Sequence, residues 1–428
     1  MILLAALLYA LPYAALLIGG AAEIRALAPD HRKRLFLLAC IAFVGATAYA
    51  LLVHLNPWAS PTLFYFLDDA SYDRWGVLIA QQWRNCTFPP LGSEHQIGSL
   101  HTGYYRFVAA IYLIGGRNPH LIIALNLCAC ALLPIAIYLL TRSVFNEKTG
   151  LIAATVTALY PTFWFYSGFV LRDVWITLFF LALAIVIVQL MRPHSRRQLL
   201  VLLACLALFS LQLLLLRFYA AAMLLAGWAL YEVTLGPRRK MALAALAVAL
   251  VCILLMRLHP HLAHLQDRLF QSFTWAIPRF LNSRLLVMQR FFLGLLKLFI
   301  GPFAWATRGG YTVDYFLWPG QWMMYLLILP GALWGMWRTV RQGPAIAFLL
   351  LFPFVAGAYG FLLAYEGSVP RQRMFLDALL IIFASIALAR RQAGSGPSRR
   401  YWISWYALFF TFFAAHICWL FARGVWRI

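Results

Sequence analysis

LLVLLACLALFSLQLLLL, residues 199–216, carries one Ser and one Gln among apolar side chains, and no charge falls between Arg197 and Arg217. As a helix rising 1.5 Å per residue this run is about 27 Å long, close to the ~30 Å hydrocarbon core of a bilayer. Residues 241–256 are similarly continuous in apolar character, and the chain as a whole is 64% hydrophobic and 16% aromatic over 428 residues. Transmembrane strands would instead read as alternating segments of about 10 residues. The sequence therefore predicts an all-α polytopic membrane protein, with residues 1–428 as a single integral membrane domain.

Lys and Arg outnumber Asp and Glu by 35 to 13, giving a formal charge of +22. The basic residues are spread between apolar spans rather than gathered on a soluble domain, which points to membrane lipid and away from nucleic acid. Of the 7 cysteines only Cys86 lies outside an apolar segment. Neither a disulfide framework nor a zinc site is implied. Residues 1–22 have no Lys or Arg before their apolar run, so they read as a first span rather than a signal peptide.

Short basic loops belong on the cytoplasmic side. Six segments qualify, 25–34, 142–148, 192–197, 238–240, 338–341 and 390–400, and they hold half of the Lys and Arg residues. Placing them inside predicts about 12 transmembrane helices, near 1–22, 35–54, 119–140, 151–169, 173–191, 199–216, 218–235, 241–258, 321–337, 344–364, 374–390 and 401–421. Residues 285–303 carry Arg290 and Lys297 and would invert every later loop if they crossed, so they are expected to form an interfacial or re-entrant helix. Two large outer loops result, 55–118 and 259–320. In the first, residues 71–84 are expected as an amphipathic helix behind an Asp-rich turn, and residues 104–115 as a second, half-buried segment.

That first loop opens with Leu67-Asp68-Asp69-Ala70-Ser71-Tyr72-Asp73, a dense group of acids for so apolar a chain. A carboxylate turned into a cavity at membrane depth can serve as a general base, its pKa raised by burial and lowered by a nearby Arg. Asp68 and Asp69 are the candidates, and Asp73 is expected to pair with a neighbouring Arg. Asp173, at the outer end of a span, is a third candidate; Arg172 beside it offers a local ion pair.

Outer basic residues, which include Arg217 and Arg279, should be depleted by the same charge rule. Arg284, Arg290, Lys297, Arg308, Arg371 and Arg373 are the candidates for gripping a phosphate. Tyr72, His101, Tyr104, Tyr105 and Glu366 are expected to line the substrate site. His95, His101, His259, His261 and His264 form a polar rim without a ligand set fixed by spacing, so no metal site is assigned. No Gly-rich phosphate loop, nucleophile elbow or HExxH occurs. Any activated donor must therefore be available within the membrane.

Acids straight after an early span, then Tyr72, Gly103-Tyr104-Tyr105, Gly115-Gly116-Arg117-Asn118 and Asn126, resemble the GT-C membrane glycosyltransferases. The branch with protein O-mannosyltransferases and the lipid A aminoarabinose transferase is the most similar. Tyr160-Pro161, Tyr166-Ser167, Leu171-Arg172-Asp173 and Thr177 look like that family's second acidic turn. Gly301-Pro302-Phe303 and Arg371-Gln372-Arg373 are similar to membrane proteins of bacterial polysaccharide clusters.

The resemblance implies a GT-C-like bundle with interfacial helices in its outer loops. It also implies an inverting transfer of sugar from a polyprenyl-phosphate carrier to a glycan or lipid acceptor, at the periplasmic face of a bacterial inner membrane. The family's base falls on Asp68 or Asp69 and its second acidic position on Asp173. No cofactor is required. A divalent cation is compatible with the acids but not needed, because adjacent Asp68-Asp69 is not the Asp-x-Asp of cation-dependent members.

Two other readings stand beside this one. An O-antigen-type polymerase or ligase would rely on outer Arg and His. A lipid-linked-sugar transporter would show inverted repeats and mid-span polar residues, and neither is evident.

Overall fold

The computed structural model describes residues 2–55, 67–85, 102–193, 195–234, 312–339, 349 and 369–422. Every element among them is helical: α1 (Ile2–Arg25), α2 (Pro29–His54), α3 (Leu67–Arg84), α4 (Thr102–Gly115), α5 (Pro119–Val144), α6 (Glu147–Ala158), α7 (Pro161–Ser167), α8 (Asp173–Leu190), α9 (Arg196–Thr234), α10 (Thr312–Thr339), α11 (Val369–Gln392) and α12 (Arg399–Ala422). Among the described residues four stretches are long and apolar enough to cross a membrane by length and composition: α2, α5, α8 and the first 22 residues of α9, Arg196–Arg217. The chain is an all-α membrane protein.

Local chemistry explains the helix ends. Pro119 and Pro161 stand in first turns, where a missing N–H costs nothing. Asn118 and Asn146 cap α5 and α6 by accepting from Leu121 N and Thr149 N. Gly116, at φ +70°, turns the chain from α4 into α5, a conformation that L side chains adopt only with strain.

Several sequence expectations are changed by these elements. The single span expected over 151–169 is broken: α6 ends at Ala158, Tyr160 is extended (φ −89°, ψ 107°), and α7 begins at Pro161. The residue before a proline is pushed out of the helical region, which accounts for the break. The break expected at Arg217 is present: α9 consists of two helices meeting at a kink there, with Arg217 itself extended (φ −158°, ψ 92°). α10 begins at Thr312, inside the expected second loop. The segments 241–258 and 285–303, and 344–364 apart from residue 349, lie outside the described residues. Both helices expected in the first loop are present as α3 and α4.

α3 packs along α4, α5 along α6, α8 along α9 and α10 along α11, while α2 covers α5, α6 and α7. The core is rich in aromatic side chains, with Tyr104, Tyr112, Tyr138, Tyr160, Tyr166, Phe179 and Phe180 fully buried. α2 and the first half of α9 turn Phe36, Leu37, Val44, Leu200, Val201 and Leu211 outward, as lipid-facing helices must.

The bundle has two unlike ends. At one, Arg192 donates to the Ser143 carbonyl and His31 lies 3.7 Å from Glu147, so the basic turns after α1, α5 and α8 adjoin. At the other end the first turn of α3, the α7–α8 turn and the break in α9 come together.

Gly76 in α3 faces Val108 of α4 at a distance that leaves no room for a Cβ. Gly76→Val is expected to overpack this contact and to destabilise the protein by about 1–3 kcal/mol. A thermal melt in detergent with an unchanged midpoint would refute the close packing of α3 on α4.

Candidate functional site

The turn 168–172 carries the centre of this end. Asn126, buried in α5, donates from Nδ2 to the Phe169 carbonyl (2.6 Å) and the Leu171 carbonyl (2.9 Å), and its Oδ1 accepts from Trp175 Nε1 (2.8 Å). His54 Nε2 donates to the Gly168 carbonyl (2.8 Å). Buried carbonyls that lack a helical partner must find one in the protein, and these do. The turn thereby fixes Arg172 and Asp173 at the start of α8.

Asp173 is 1% exposed and pairs with Arg217, whose Nη2 lies 3.0 Å from Asp173 Oδ1. The ion pair expected with the adjacent Arg172 does not form, because the extended backbone at Arg217 delivers a guanidinium from α9 instead. Arg172, 6% exposed, sets its guanidinium carbon 5.7 Å from the centre of the Tyr72 ring. No hydrogen-bond partner meets its Nε or Nη1 among the described residues.

The first turn of α3 separates the paired acids. Asp68 is exposed, whereas Asp69 is fully buried and its Oδ1 accepts from Ala70 N at 2.7 Å. Asp73 is 2% exposed. It accepts from Tyr112 OH (2.7 Å) and Arg117 Nη2 (2.6 Å), so its partner is remote in sequence rather than neighbouring. Burial raises the Tyr112 phenol, with the Asp73 bond adding to it, and the same carboxylate raises the Arg117 guanidinium.

The Tyr72, Tyr104 and Tyr105 rings come together, with ring centres 4.8 Å (Tyr72–Tyr104) and 5.0 Å (Tyr72–Tyr105) apart. Burial raises both the Tyr104 and Tyr105 phenols; a bond from Ser71 and the charge of Arg172 partly offset this at Tyr105, and Asp68 adds to it. Tyr72, near the start of α3, brings its ring within 5.7 Å of the Arg172 guanidinium carbon.

Arg373 belongs to a different cluster. Its Nε lies 2.9 Å from Asp377 one turn on, its guanidinium carbon is 3.6 Å from the Tyr325 ring centre, and Tyr160 OH donates to Asp377 Oδ2 at 3.0 Å. Arg371 stands in the first turn of α11. Arg284, Arg290, Lys297, Arg308, His101 and Glu366 lie outside the described residues.

Sequence reasoning took Arg172 only as a local ion-pair partner and Asn126 only as part of the resemblance, and it passed over Asp377. Asp377 could have been found as a lone acid inside an apolar run.

No family model matches the chain, and no curated protein matches it. Among solved structures it is similar to the archaeal oligosaccharyltransferase AglB from Archaeoglobus fulgidus in complex with an inhibitory peptide and a dolichol-phosphate. The identity is 16% and the TM-score 0.49, over 89% of this chain and 54% of that one. It is also similar to the Archaeoglobus fulgidus oligosaccharyltransferase in complex with Zn and sulfate, at 16% identity and a TM-score of 0.46, over 86% and 52%. The chain spans about half the length of these structures. A likeness this distant carries no assignment of family or activity.

Arg217→Ala is expected to leave the Asp173 carboxylate buried without its cation, costing about 3–5 kcal/mol. Adding Asp173→Asn should recover much of that loss, because the stranded charge is gone. Chemical denaturation of the three variants in detergent checks the cycle; simple additivity of the two losses would refute the pair.

Proposed function

We propose that this protein is an inverting glycosyltransferase that moves a sugar from a polyprenyl-phosphate carrier to a glycan or lipid acceptor at the outer face of its membrane. The observation that carries the reading is a buried acid, Asp69, in the first turn of α3, together with a buried guanidinium, Arg172, which stands 5.7 Å from the Tyr72 ring of the same helix and has two nitrogens without a hydrogen-bond partner among the described residues.

Such a transfer needs a base and a positive site. In this reading the Asp69 carboxylate takes the proton of the acceptor hydroxyl as that oxygen attacks the anomeric carbon. The bond from the anomeric carbon to the phosphate oxygen breaks, its electron pair leaves with the polyprenyl phosphate, and configuration inverts. Arg172 faces the departing phosphate, and a buried guanidinium is worth more to that developing charge than one in water. Arg284, Arg290, Lys297, Arg308 and Arg371 remain proposed partners of the donor phosphate.

Two earlier candidates take other roles. Arg373 is engaged by Asp377 and Tyr325, so we leave it out of the phosphate site. Asp173 neutralises Arg217, and its work is to hold the α8 end of the turn rather than to take a proton. With Arg172 supplying positive charge, a divalent cation is not part of the mechanism.

The assay is release of polyprenyl phosphate from membrane vesicles given a panel of polyprenyl-phosphate-linked sugars. Asp69→Asn is expected to lower turnover roughly 10²–10⁴-fold, the usual contribution of a positioned base. The exposed Asp68→Asn should stay within a few-fold of the unaltered protein. Full turnover in Asp69→Asn would sink the base assignment, and release of no polyprenyl phosphate by any variant would favour transport. Vesicles stripped with EDTA are expected to keep their activity; a loss restored by Mg²⁺ or Mn²⁺ would bring a metal into the site.

A further inference from the structure

The opposite end of the bundle holds a groove of about 490 Å³ between α1, α5, α8 and α9, a volume typical of small-ligand cavities. Its walls are apolar, with Leu132, Ile135, Ile185 and Phe209 among them, and Gly19, Gly20 and Ala182 leave the space open. Among the described residues that line it, the polar ones stand at the mouth, where the helices reach the basic turns: Glu23, Arg142, Ser143, Gln189 and Arg192. Arg192 ties the ends of α5 and α8 by donating to the Ser143 carbonyl, and the Arg142 side chain is 37% exposed with Glu147 3.8 Å away.

Depth and charge together select the occupant. Along α8 the lining runs from Leu178 to Gln189, which at 1.5 Å per residue is about 16 Å, half of a ~30 Å hydrocarbon core. The groove is thus one leaflet deep, apolar throughout, and ends where headgroups lie. At the mouth Arg142 and Arg192 stand against Glu23 and Glu147, so the positive excess comes from Arg25, Arg196 and Arg197 at the adjoining helix ends. Basic groups at this depth attract anionic headgroups, and Arg holds a phosphate through two donors. We propose that this groove binds an anionic phospholipid of the leaflet beside the basic turns, its acyl chain between the four helices and its phosphate at Arg142 and Arg192.

The site is independent of the proposed transfer chemistry, and so is its test. The protein is placed in nanodiscs of phosphatidylglycerol and phosphatidylcholine, released, and the lipid that stays bound is read by native mass spectrometry. Phosphatidylglycerol should be enriched roughly fivefold over the bulk mixture, the share of one net basic group near a membrane surface. Arg142→Gln with Arg192→Gln is expected to bring the retained lipid to the bulk ratio, and Ala182→Phe to reduce retention of both lipids by filling the groove. Arg399→Gln with Arg400→Gln, exposed basic residues outside the groove, should keep the enrichment. Glycerol phosphate in solution should displace nothing, because it lacks the chain. Retained lipid at the bulk ratio in the unaltered protein overturns the proposal. Enrichment that survives Ala182→Phe, or that disappears equally in the Arg399 and Arg400 variant, overturns it too.

Discussion

A turn buried at the end of a membrane bundle has carbonyls that neither water nor a helix satisfies, and everything at the polar end depends on how that need is met. Asn126 meets most of it. Its amide offers two N–H donors and one acceptor oxygen. The donors go to Phe169 and Leu171 and the oxygen takes the Trp175 N–H. With His54 on Gly168, the segment between α7 and α8 is held by side chains in place of backbone pairing. An unmet buried carbonyl would cost several kcal/mol in such surroundings, so the turn has one arrangement rather than several.

That arrangement decides the fate of two arginines. Buried charges are tolerated when paired, and Arg217 is paired with Asp173 across the break in α9. Arg172, one residue before Asp173, is held on the Tyr72 face and keeps two nitrogens unengaged among the described residues. A ring beneath a guanidinium offsets part of its desolvation without using its N–H donors. In the proposed mechanism this is the arginine that receives the phosphate oxyanion. The fold thus separates a cation engaged by a carboxylate from one that rests on a ring, although both come from the same polar end.

The parts legible in the sequence were those set by composition and local rules. Unbroken apolar runs such as 199–216 marked the helical membrane class, and the Asp-rich first turn marked α3. What was hidden depended on contacts distant in sequence. The adjacency Arg172-Asp173 suggested a pair, but the partner arrives from residue 217 because α9 is extended there. Neighbours Asp68 and Asp69 are chemically alike, and only packing exposes one and buries the other. The break before Pro161 was readable in principle, and the strong hydropathy on both sides obscured it.

The break has a consequence of its own. An uninterrupted helix over 151–169 would hold its own shape through backbone bonds, whereas α7 is only seven residues long and must be anchored from outside. Tyr160, extended at the break, sends its hydroxyl to Asp377, which Arg373 in turn neutralises over the Tyr325 ring. The segment from residue 160 to 173 is therefore pinned at its start by a buried polar cluster on α11 and at its end by Asn126 on α5. Each anchor is a polar group placed where water cannot compete, so each is directional and hard to exchange. Between them the chain can place Arg172 beside Tyr72 without the continuous helix that hydropathy alone would favour.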